Sequence, residues 1–274
     1  MKNPMAFSTC LLGFCFLALG ADEPPKPVQL FNGKDLSGFY TWLLNTGYED
    51  PDRVFSVVDQ IDGAPAIRVS GKHLGALVTK EEYSDYRLVV EFRWGPATWG
   101  GRKNASRDSG ILVHCQGPDG SMSKDGKGAW MASVEAQVIE GGVGDFILIP
   151  GFGKDGEPVA PRLWVLASKD RDGESVYDPE AEPRKFEGGR INWHGRDVDW
   201  KDVLGFRGKD DVESPSGEWT RFEVVCDGDK ITNIVNGKTV NAGARSSLTR
   251  GKIMFQSELA EIYFRKIEIQ PLKP

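Results

Sequence analysis

The stretch Met131-Ala-Ser-Val-Glu135-Ala-Gln137-Val-Ile139-Glu140 alternates apolar residues with polar ones. Side chains of a strand repeat with period two, so Glu135 and Gln137 leave one face while Val134, Ala136 and Val138 leave the other. A small apolar set opposite a carboxylate and an amide predicts a central sandwich strand, with core on one side and a groove on the other. The pattern recurs in Tyr86 to Trp94, where Glu91 and Arg93 share a face with Val89, opposite Val90 and Phe92. It recurs again in Asp108 to His114, where Leu112 and His114 oppose Ile111 and Val113.

Outward from that stretch the chain is a succession of short alternating runs, and none holds a helical apolar period for long. Val28 to Phe31 reads as a first strand, followed by a turn at Asn32-Gly33-Lys34-Asp35. Phe55 to Asp59 and Ala66 to Ser70 read as a hairpin around Asp62-Gly63, and Lys230 to Val235 and Lys238 to Val240 as another around Asn236-Gly237. Further strands are predicted at 74–79, 219–227, 252–257 and 261–269. In the last, Ile262 and Phe264 have one parity and Ile267 and Ile269 the other, which requires a bulge near Arg265. Many short strands without helices predict an all-β sandwich or barrel. Between Gly141 and Gly217 the pattern loosens, and only 146–149 and 163–167 look like strands. This predicts a loop-rich excursion on the sandwich, since no apolar run there is long enough for a core of its own.

At the N-terminus, Lys2 precedes an apolar run from Leu11 to Leu19 that ends in small residues, as in a secretory signal peptide. The run is too short to span a bilayer. The expected organisation is a signal peptide at 1–20, a proline-rich leader at 21–27 and a single domain at 28–274, secreted or periplasmic. The 274 residues carry a formal net charge of −6 and no basic block, which argues against nucleic acid and membrane-surface binding. Of four cysteines, Cys10 and Cys15 leave with the signal; Cys115 and Cys226 either form one disulfide or each sit on a strand as a small buried hydrophobe. Two cysteines and three scattered histidines give no zinc spacing. Asp170-Arg-Asp172-Gly173 is similar to a calcium loop but lacks the downstream glutamate, so calcium in a sandwich loop stays open and no motif specifies a cofactor.

Several segments, in their order, resemble one family. They are Leu30 to Gly38, Tyr83 to Arg93, Asp108-Ser-Gly110, Glu135-Ala-Gln137, Gly217-Glu-Trp219, Asn236-Gly237 and the closing Phe264 to Ile269. The family is the 3-keto-disaccharide hydrolases, and the resemblance spans roughly residues 28 to 271. It implies a concanavalin A-like jelly roll of two antiparallel sheets. Asp108 stands where the family usually has Asn, and the excursion at 141–217 is longer than a minimal member needs.

The resemblance implies a substrate already oxidised at C3, and so a reaction that differs from ordinary glycoside hydrolysis, which uses two carboxyl groups. A C3 ketone acidifies the C2 proton, so one base can start an elimination that expels the C1 leaving group; water then adds. The scheme needs a general base, a group on the enolate oxygen and groups that fix the ring. On that reading Glu135 is the base and Arg93 or His114 stabilises the enolate. Gln137 and Gln256 hold hydroxyls, while Trp130 and Trp193 stack on a sugar face. Asp108 and His194 complete the candidate substrate contacts. The competing readings are a non-catalytic carbohydrate-binding or adhesion module and, more remotely, a structural protein of the cell envelope.

Overall fold

The computed structural model describes Met1 and residues 26–272. The expected signal peptide, Met1 apart, and most of the leader lie outside the described residues. Among the described residues the chain folds into two antiparallel sheets, a two-stranded ribbon and one 3₁₀ turn, Gly100–Arg102. No helix among them is long and apolar enough to cross a membrane.

Seven strands form one sheet, in the spatial order Gly189–Ile191, Phe146–Ile149, Ala132–Ile139, Asp108–Gln116, Lys252–Ser257, Gly75–Thr79 and Phe39–Leu43. The opening stretch is therefore a central strand, as its alternation predicts. The other sheet has eleven strands, with Thr220–Asp227, Tyr86–Thr98 and Ala260–Pro271 adjacent at its middle. The chain crosses repeatedly between the sheets, which gives the expected jelly-roll sandwich. Inward residues of both sheets build the core: Ile111, Val113, Val134 and Phe255 from one, Leu88, Val90, Phe222 and Phe264 from the other. Phe255 and Phe264 meet across the interface, their ring centroids 5.3 Å apart.

Turn chemistry explains the registers. Asp62 and Gly63 have φ of 53° and 81°, and Asn236 and Gly237 have 48° and 82°. These are the positive angles that two-residue hairpin loops need. The expected bulge is present: pairing shifts between Arg265 and Glu268, with Lys266 at φ 50°. That extra residue lets Phe264 and Ile267 both face the core.

The excursion is more ordered than its sequence suggests. Besides Phe146–Ile149 and Leu163–Lys169 it contains Gly151–Phe152, Pro158–Val159, Ser175–Tyr177, Pro183–Phe186 and Gly189–Ile191. Strands of two to four residues are too short for a period to show. Residues 192–219 hold no strand, and buried carboxylates pin them down. Glu140 accepts from the Gly205 and Arg107 amides at 2.8 and 2.9 Å, and Glu213 from the Gly141 amide and the Trp94 indole at 3.1 and 3.0 Å.

Cys115 and Cys226 are both free and buried, so the disulfide alternative is corrected. They sit on different sheets, and only Cys226 faces the common core; Cys115 belongs to an apolar cluster on the opposite side of its sheet. Phe264→Ala is expected to cost about 3–5 kcal/mol in chemical denaturation, the range for a buried phenylalanine that leaves a cavity. A loss below about 1 kcal/mol would show that the sheets do not depend on this contact.

Candidate functional site

The outward face of the seven-stranded sheet is divided in two. Register places Leu112 and Ile147 beside Glu135, Gly110 beside Gln137 and Ala76 beside Gln256. One half is apolar, with Ala76, Val78, Leu112 and Met254 packed under Trp42 and Trp130. The other half opens as a pocket of about 360 Å³ that contains Glu135, Gln137, Gln256, Asp108 and Trp130. Arg102, Arg190 and Glu258 line the same pocket. Its volume is at the small end of ligand sites, which run roughly 300–1,000 Å³.

Gly110 sets the floor. A Cβ there would collide with both Glu135 Oε1 and Gln256 Oε1, so the two oxygens lie directly over a residue that has no side chain. Glu135 is 3% exposed, Gln137 2% and Gln256 1%. Oε1 of each of the three has no hydrogen-bond partner. Buried polar atoms are normally satisfied, so three unsatisfied acceptors in one pocket point to a ligand that supplies donors.

Around them sits a charge frame. Gln137 Nε2 donates to Asp108 Oδ1 at 3.0 Å, and Asp108 pairs with Arg102. Arg102 also reaches Asp202 at 3.3 Å and lies 3.9 Å from Glu258. Arg190 donates to the fully buried Asp145 at 2.7 Å, and Asp145 in turn accepts from the Trp193 amide at 2.8 Å and pairs with Arg196. Burial, and then the nearby Glu258 and Asp108 carboxylates, push Glu135 well above the ordinary glutamate range. Burial also raises Glu258 to about 8 and Asp108 to about 6, against the pull of Arg102. Burial thus raises the proton affinity of all three carboxyls, which makes each a stronger base when ionised and an acid closer to neutrality when protonated.

Among the described residues no group of three or more His, Cys, Asp or Glu side chains could hold a metal ion. In the calcium-like loop Asp170 Oδ1 caps its own turn, accepting from the Asp172 and Glu174 amides at 3.0 and 2.8 Å.

Five of the nine expected site residues come together, and four do not. Arg93 belongs to the eleven-stranded sheet, where it pairs with Asp62 at 2.6 Å and lies over Trp219. It lines a separate cavity of about 210 Å³. Strand parity says which side chains share a face but not which sheet the strand joins. His114 follows a register shift after Val113 and has φ 55°, so its ring turns inward against Tyr86 instead of staying with Leu112. Its Nδ1 lies 2.9 Å from the Leu248 carbonyl, and burial lowers its pKa to about 4. Trp193 is a core residue, 1% exposed. His194 meets Tyr177 edge to face, outside the pocket. Sequence reasoning missed Arg102, Arg190, Glu258 and the role of Gly110. Gly101-Arg102 and Gly189-Arg190 are glycine-flanked and Glu258 follows the end of a strand, so none sits in a periodic run.

A Parabacteroides distasonis structure described as a glycosyl hydrolase is similar at 19% identity over 90% of this chain and 94% of its own, with a TM-score of 0.48. A Bacillus licheniformis β-glucanase shares 11% over 93% and 100%, at 0.41. A carbohydrate-binding module from Bacillus subtilis shares 12% over 84% and 94%, at 0.40. All three scores lie below 0.5, and no residue role passes from these structures to this chain. No curated protein matches the sequence. The family model of the 3-keto-α-glucoside-1,2-lyase-like domain matches residues 26–270, and a match over nearly the whole described chain makes this protein a member of that carbohydrate-active family.

Proposed function

We propose that this protein cleaves 3-keto-glycosides by elimination across C1 and C2, with Glu135 as the base, and that water then adds to complete a net hydrolysis. The observation that carries the reading is the unsatisfied Glu135 carboxyl, buried over Gly110 between Gln137 and Gln256 in a pocket sized for one sugar ring. The carboxylate takes the C2 proton, the electron pair passes toward the ketone as an enolate, and its return forms C1=C2 as C1–O breaks. Arg190, fixed by Asp145, supplies positive charge for the enolate oxygen, the role that Arg93 and His114 cannot fill from where they lie. Gln137 and Gln256 accept from ring hydroxyls. Trp130, whose indole N–H is tied to the Gly75 carbonyl at 3.1 Å, presents a fixed aromatic wall. The apolar run from Leu11 to Leu19 after Lys2 supports a reading in which this activity is exported. Three carboxyls with raised proton affinity in one pocket favour catalysis over plain binding, because groups tuned in this way cluster at active sites.

Glu135→Gln preserves shape but cannot accept the proton. On a 3-keto-disaccharide it is expected to lose about 10²–10⁴-fold in kcat, with KM little changed, in a discontinuous sugar-release assay. Wild-type turnover by this variant would sink the assignment, and release from the unoxidised disaccharide would sink the elimination.

The raised carboxyls also make stability depend on pH. Between the unfolded value of a glutamate, about 4.3, and Glu258 at about 8, the folded chain keeps protons that the unfolded chain has lost. Stability must then fall as pH rises. Glu213, raised to about 7 by burial, adds to the fall. His114 acts oppositely: its lowered value gives stability that is gained as pH rises and is complete above about 6.5. The clean window is therefore pH 6.5 to 8, where the melting temperature is expected to drop and Glu258→Gln to flatten the drop. A melting temperature that rises through this window would contradict the protonated pocket.

A further inference from the structure

An elimination has two ends. Glu135 deals with the C2 proton, but the oxygen that leaves C1 departs as an alkoxide unless it is given a proton, and a sugar alkoxide is a poor leaving group at neutral pH. The buried floor does not supply that proton: Gln137 and Gln256 are amides, and Asp108 is taken up by Arg102 and by Gln137 Nε2. The rim can.

Glu258 lies two residues beyond Gln256, so by strand parity it continues the same outward face past the end of Lys252–Ser257. The next residue, Leu259, has φ 61°, an uncommon conformation for a bulky side chain, and Ala260 already belongs to the other sheet. The backbone is held in this tight crossing by the Trp99 amide, which donates to the Leu259 carbonyl at 2.8 Å, and by Ser257 Oγ, which donates to the His73 carbonyl at 2.6 Å. The Glu258 side chain is 22% exposed where Glu135 is buried, and it lies 3.9 Å from Arg102, beyond hydrogen-bond reach. One carboxyl is thus at the floor and another at the mouth of the same pocket, the second in contact with solvent that can restore its proton.

We infer that Glu258 is a further catalytic residue, the acid that protonates the glycosidic oxygen as C1–O breaks. This rests on the proposed elimination. In the step, Glu135 gains the C2 proton, the C–H electron pair becomes the C1=C2 bond, the C1–O pair goes to the leaving oxygen, and that oxygen takes the proton of Glu258. The products are the unsaturated 3-keto sugar, the free alcohol, a protonated Glu135 and a Glu258 carboxylate, and exchange with water resets both acids. The charges that face Glu258 are Arg102 on the 3₁₀ turn, Asp108 and Glu135 on neighbouring strands, and Arg190 on the edge strand. Burial and these two acids hold its proton on, and the arginines oppose them.

The test varies the leaving group. Wild type, Glu258→Gln and Glu135→Gln are assayed on two 3-keto-glucosides, one with a para-nitrophenyl and one with a methyl leaving group, with melting temperatures measured in parallel. A nitrophenolate leaves without a proton; a methoxide does not. Glu258→Gln is expected to stay close to wild type on the aryl substrate and to fall about 100-fold or more on the methyl one. Glu135→Gln should fall on both. Equal losses by Glu258→Gln on the two substrates, or no loss on either, would overturn the assignment. Independently of any variant, wild-type rates across a series of leaving groups should depend only weakly on leaving-group acidity, and a steep dependence would also overturn it. If wild type cleaves neither substrate, or Glu135→Gln cleaves both, the elimination itself fails, which is a different result from failure of Glu258 alone.

Discussion

A carboxyl on the outer face of a sheet ordinarily points into water, and the site depends on Glu135 being denied that water. Burial disfavours its charged form and no donor satisfies Oε1, a cost that Arg190 and Gln256 offset only in part. Gly110 makes the arrangement sterically feasible, because any side chain there would displace both Glu135 and Gln256. The Glu258 and Asp108 carboxylates raise the proton affinity of Glu135 further, and Arg190 opposes them.

The pocket arginines are positioned from outside the central strands. Arg102 comes from the 3₁₀ turn and Arg190 from a three-residue edge strand. Asp145, which is fully buried, anchors Arg190, Arg196 and the Trp193 amide at once. Removing such an acceptor would leave the buried Arg196 guanidinium unpaired, a far larger loss than the gain from the pair itself. The excursion at 141–217 is therefore part of the site: it contributes the edge strand and the Asp145 clamp.

The sequence was most informative where a period was long enough to see. The runs at 132–139, 252–257, 230–235 and 238–240 read as strands and are strands, and the parity break near Arg265 marks a real bulge. Glu135, Gln137 and Gln256 were legible because alternation places them opposite core residues. Arg93 looked equivalent because Tyr86–Thr98 alternates in the same way, but that strand joins the other sheet. His114 was misdirected by one extra residue, which reversed its face. Arg102, Arg190 and Glu258 lie in turns and short edges, where local sequence carries no face.

By itself, then, the sequence determined the longer strands, the hairpin turns and the shared outward face of Glu135 and Gln137, because period two and turn chemistry are local properties. Only the tertiary structure decided which strands share a sheet, which side chain a bulge turns inward, and that a third carboxyl and two arginines close over the floor. The reason is that sheet membership and pocket walls come from contacts between residues far apart in the chain, as between Arg102 and Glu258 or Arg190 and Asp145, and no local pattern encodes such contacts.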